Sequence, residues 1–73
     1  MRYICVRAMA LRPQDRIIEY GNNDNLSFTI DIAKWVYMPH TNYRGIQIDG
    51  THQDGEQEIL FLRAHTPVWI WRK

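Results

Sequence analysis

The chain is short of several things, and each shortage excludes a class of protein. Cys5 is its only cysteine. A lone thiol cannot form an internal disulfide or a cysteine-rich metal cage. It fits a reducing compartment, and the cytoplasm is the expected location. Cys5 lies in an apolar run, which predicts a buried, unreactive thiol. Ser27 is the only serine, and no G-x-S-x-G elbow surrounds it. The four glycines, at 21, 45, 50 and 55, stand singly at turn positions. A phosphate cradle of the P-loop or dinucleotide type needs clustered glycines leading into a helix, so neither is encoded. No apolar run approaches the ~20 residues of a membrane-spanning helix. The apolar start is broken by Arg7 and followed by Arg12–Pro13–Gln14–Asp15, a poor secretory signal. The formal charge is only +1, against the strong basicity of proteins that compact nucleic acid. There is no internal repeat, linker or low-complexity block.

What is present is an ordinary globular balance in 73 residues, 45% of them hydrophobic and 23% charged. That is a single small domain over residues 1–73. Domains of this size hide only about 60% of their unfolded surface, so dense packing or self-association must supply stability. Nine aromatic residues fit either route. The basic residues are seven Arg and two Lys. Arg makes flat, forked, stackable contacts and is common at interfaces.

Short apolar runs separated by turn residues give an all-β rhythm. Residues 2–9 alternate, with Ile4, Val6 and Ala8 on one side and Tyr3, Cys5 and Arg7 on the other. Residues 16–21 read as a second strand with Ile18 inward. A competing reading starts a short helix at Pro13. Residues 21–25, Gly-Asn-Asn-Asp-Asn, form the clearest turn. Residues 26–38 fit two periods. At period 2, Leu26, Phe28, Ile30 and Ile32 line one face. At period 3.6, Ser27, Asp31 and Lys34 form a polar stripe on a helix. The Thr, Ile, Val, Phe, Trp and Tyr content favours a strand, bent near Ala33–Lys34. The alternative, a helix over 26–37 packed on an antiparallel sheet, would make the fold α+β.

Residues 43–49 alternate again, with Ile46 and Ile48 inward and Gly45 at a bulge or close approach. Residues 49–55 read as a polar hairpin loop. Residues 58–63, EILFLR, are apolar on both faces, which predicts a central, doubly covered strand with Ile59 and Phe61 in the core. Residues 68–73 close the chain with Val68 and Ile70 inward. The sum is a small, strongly bent antiparallel sheet, or a barrel or roll of five to seven short strands. Its size class is that of SH3-like or OB-like barrels.

Chemistry-bearing patterns are sparse. His52, Asp54, Glu56 and Glu58 would share one side of an extended segment, but no metal-ligand spacing supports them. No catalytic residue, metal or cofactor is predicted, and the chain reads as a non-enzyme. The aromatic pairs Trp69/Trp71 and Trp35/Tyr37 carry the functional signal. With Val68 and Ile70 inward, two indoles stand outside, and exposed Trp pairs are costly unless covered. Together with Arg63 and Arg72 they predict a surface that binds another protein, or a second copy of the chain, as an inhibitor or assembly subunit would. The alternative is a single-stranded nucleic-acid binder. Its bases would stack on the same rings while Arg44, Arg63, Arg72 and Lys73 track phosphates.

Overall fold

The computed structural model describes residues 2–20 and 28–73. The turn read at 21–25, Leu26 and Ser27 lie outside them. Among the described residues the fold is all-β. Six strands form one open antiparallel sheet: β1 (Arg2–Arg7), β2 (Arg16–Tyr20), β3 (Phe28–Tyr37), β4 (Arg44–His52), β5 (Gln57–Arg63) and β6 (Pro67–Arg72). The order across the sheet is β1-β6-β2-β3-β4-β5. A single 3-10 turn, Ala8–Ala10, follows β1. Its backbone donates from Ala8 N to Thr66 O (2.9 Å) and from Met9 N to Ala64 O (3.0 Å). These bonds tie the end of β1 to the turn after β5, so one end of the sheet is drawn together although its edge strands do not pair.

The core lies on the concave face. Ile17, Phe28, Ile30, Ile48, Val68 and Ile70 are its fully buried side chains. Burying an aliphatic or Phe side chain contributes about 1.5–3 kcal/mol, so these six are the main source of stability. Ile4 and Val6 pack against them while Tyr3 and Cys5 face outward, as the alternation in residues 2–9 requires. Gly45 is a close-approach position. A Cβ there would lie 2.5 Å from Met38 Sδ and 2.7 Å from Leu62 O.

The helix over 26–37 is not formed. Phe28–Tyr37 is an unbroken strand, and its irregularity falls between Ile30 and Ile32 rather than at Ala33–Lys34. That bulge at Asp31 reverses the inward parity. Ile32 is therefore exposed, and Ala33 faces Ile48 instead. A second bulge between Ile17 and Glu19 does the same in β2, where Ile17 rather than Ile18 pairs with Ile70 and is buried. The largest correction concerns 58–63. β5 is an edge strand, not a central one. Leu60 and Leu62 turn inward, leaving Ile59 63% and Phe61 38% exposed.

Candidate functional site

Cross-strand register builds an aromatic cluster on the convex face. Tyr3 stands opposite Trp71 and Cys5 opposite Trp69 in the β1–β6 ladder. Val68 and Ile70 must point inward, so the pleat sends Trp69 and Trp71 outward. Tyr3 stacks on Trp69 with centroids 5.1 Å apart and planes 19° from parallel. The same ring meets Trp71 at 5.1 Å and 46°. The three rings form one apolar surface, with Tyr3 45% and each Trp 38% exposed. Cross-strand aromatic pairs of this kind contribute about 0.5–1.5 kcal/mol beyond burial. They are also rigid, and rigid rings lose little entropy on binding. Cys5 is exposed beside them, contrary to the buried thiol expected from its apolar run. The alternation puts it on the outward side, and edge strand β1 has no covering layer there.

Trp35 and Tyr37 do not join this cluster. They lie on the concave face of β3, opposite Ile46 and Arg44. Trp35 closes the rim of the core beside Ala8, Met9 and Leu11, with the Arg44 guanidinium 5.2 Å over its ring. Arg63 sits at the end of β5 over the ring of Tyr43, at 5.1 Å. Of the residues read as tracking phosphates, Arg63 does not lie beside Arg72 and Lys73. β5 and β6 are consecutive in sequence but are not neighbours in the sheet.

Arg72 is held inside the fold. Its Nε donates to Asp15 Oδ1 at 3.0 Å, and Nη2 donates to Asp15 Oδ2 at 2.8 Å and Ala10 O at 3.0 Å. Asp15 is 3% exposed and also accepts from Arg12 N at 2.9 Å. The two-pronged bond to Asp15 holds the Arg72 pKa above its ordinary value, with burial opposing and the Asp15 charge assisting. The role is structural: the pair ties the loop before β2 to the last strand. No sequence signal marks it, because the partners are 57 positions apart.

The acidic set at 52–58 is also dispersed. His52 Nε2 lies 3.5 Å from Glu58 Oε2, while Asp54 turns to accept from Glu56 N at 2.9 Å. Among the described residues no group of three His, Cys, Asp or Glu could hold a metal. No helix among them is long and apolar enough to cross a membrane.

Charge is divided across the sheet in a way the total of +1 conceals. Residues 2–20 and 67–73, which carry β1, β2 and β6, hold six basic residues against two acidic ones. Residues 28–66, which carry β3, β4 and β5, hold three against five. Tyr3, Trp69 and Trp71 therefore sit on the basic half. No family model matches the chain, and neither does any curated protein or solved structure.

Proposed function

We propose that this chain is a small non-enzymatic binding protein that works by protein–protein contact through Tyr3, Trp69 and Trp71. One observation carries the reading: the outward Tyr3 ring packs against both Trp69 and Trp71, and its strand β1 has a second edge that is unpaired among the described residues. Aromatic anchors of this type dominate interface energetics, and an open edge accepts a partner strand. The basic surroundings favour a partner with an acidic surface. An exposed free thiol suits the reducing cytoplasm, where we place the protein.

Cys5 provides the test, since it shares the face of Trp69. A photo-crosslinker attached there should capture a partner in cells of the source organism. Trp69→Ala and Trp71→Ala should each weaken that partner's binding by more than about 1 kcal/mol while the monomer still folds cooperatively. If either substitution unfolds the monomer, or capture survives both, the rings are not a docking surface. Capture of the chain by itself, with concentration-dependent sedimentation, would identify a homodimer instead.

The division of charge favours a second reading, binding of single-stranded nucleic acid. Bases would stack on the same rings beside Arg2, Arg16 and Lys73. Fluorescence anisotropy with random RNA and DNA pools separates the two. Micromolar binding that falls steeply with salt supports nucleic acid, and no binding at low salt removes it.

A further inference from the structure

We propose that the end of the sheet beside Trp71 is a nucleotide site, with a phosphate monoester held by Arg2, Arg12 and Lys73 and its base laid against the Trp71 indole. Two adjoining hollows make the site. The first, of about 230 Å3, is lined by Arg2, Arg12 and Lys73 together with Gln14, Asp15 and Arg72. Asp15 and Arg72 answer each other's charge through their two-pronged bond. The three remaining cations have no hydrogen bond or ion pair from their side chains among the described residues. Three cations unpaired among the described residues around one concavity, with one acid already neutralised, make a site for a doubly charged anion.

The second hollow, of about 220 Å3, shares Gln14 and Lys73 with the first. Its walls add Trp71, Thr29 and Arg16. An indole wall beside a cation cluster suits a planar ring attached to a phosphate. The rim between the hollows is rigid. Gln14 N donates to Ile30 O and Ile30 N to Asp15 O, both at 2.8 Å, and Arg12 N donates to Asp15 Oδ2. These bonds hold Gln14 at φ 77°, a left-handed conformation that an L side chain seldom adopts. Strain of this kind collects at binding sites, where the surrounding fold enforces it. The phosphate could be carried by a free nucleotide or by the end of a nucleic-acid strand.

This site is distinct from the docking cluster apart from Trp71, so the two fail separately. The intact chain is titrated with adenosine 5′-monophosphate, adenosine, inorganic phosphate and phosphotyrosine. An eight-nucleotide DNA, with and without a 5′-phosphate, completes the set, and quenching of tryptophan fluorescence is followed throughout. The monophosphate should bind at least tenfold more tightly than adenosine. Arg12→Ser with Lys73→Ser should remove that preference without altering the melting temperature. Trp71→Leu should weaken the monophosphate and leave inorganic phosphate unchanged. Trp69→Ala, which removes a docking ring that lies outside both hollows, should not alter monophosphate binding. Tighter binding of the monophosphate than of the phosphorylated DNA assigns a free nucleotide, and the reverse assigns a strand end. Equal binding of adenosine, stronger binding of phosphotyrosine, or a preference that survives the double substitution overturns the proposal. So does the absence of saturable binding by both the monophosphate and the phosphorylated DNA.

Discussion

The β3–β4–β5 half of the sheet is a meander of sequence neighbours, whereas β1, β6 and β2 are gathered from the two ends of the chain. Each meander hairpin closes through a short connection, residues 38–43 and 53–56. The other half requires Arg2 to stand opposite Arg72. Closing so long a loop costs more entropy, and its contacts form only after that cost is met. The halves are secured accordingly. The meander relies on ladder pairing and on Ile30, Ile46, Ile48 and Leu62 beneath it. The terminal half adds the Asp15–Arg72 pair and the outward aromatic stack. Its specificity rests on a few polar bonds, and it also carries the basic, ring-bearing surface.

The widest test of that contrast is Arg72→Ala. It leaves Asp15 buried without a counter-charge and should cost about 3–5 kcal/mol in urea unfolding, most of the stability of a chain this small. A paired change of Asp15→Leu with Arg72→Met should recover most of it. The pH dependence follows from the direction of the Arg72 shift. A raised folded-state value means its contribution is complete below the ordinary Arg range and is lost only as pH climbs beyond it. Titration of Arg72 should therefore leave stability flat through neutral pH.

In the meander, Leu62→Ala should cost about 2–5 kcal/mol by the same measurement. Gly50→Ala comes next. Its Cβ would meet the edge of the Phe28 ring and lie 2.7 Å from Thr29 O, for a loss of about 1–3 kcal/mol. Gln14→Gly should work in the opposite direction. Release of the left-handed strain should stabilise the terminal half by about 1 kcal/mol, read as a raised midpoint. Smallest of all, Ile59→Thr on the exposed face of β5 should change stability by no more than about 0.5 kcal/mol. A larger loss would mean that this edge is covered.

Those last positions show where local reading succeeds and where it fails. The strand content of 28–37 was legible because β-branched and aromatic residues crowd it. The outward placement of Trp69 and Trp71 was legible as well, since Val68 and Ile70 could face only the core. Inward parity was legible in β3 up to its bulge and not beyond, and in β2 it was missed from the start, since Ile17 rather than Ile18 is buried. One extra residue at Asp31 or near Ile18 reverses every later side chain, and no residue type announces it. β5 misled for a different reason. A strand apolar on both faces reads as central, yet Ile59 and Phe61 lie on an open edge. In the candidate site, the two tryptophans were visible as a pair. Tyr3, which joins them into one surface, was not, because its pairing with Trp71 spans nearly the whole chain.

The sequence by itself determined the fold class, the single domain, the inward set Phe28, Ile30, Ile46, Ile48, Val68 and Ile70, and the outward indoles. Periodicity and residue type are local properties, and they suffice for these. Only the tertiary structure decided the strand order, the burial of Asp15 against Arg72, the separation of Trp35 and Tyr37 from the convex cluster, and the gathering of Arg2, Arg12 and Lys73 around one concavity. Each of these depends on which distant segments pair, and that choice is made by the whole core closing together rather than by any stretch of chain.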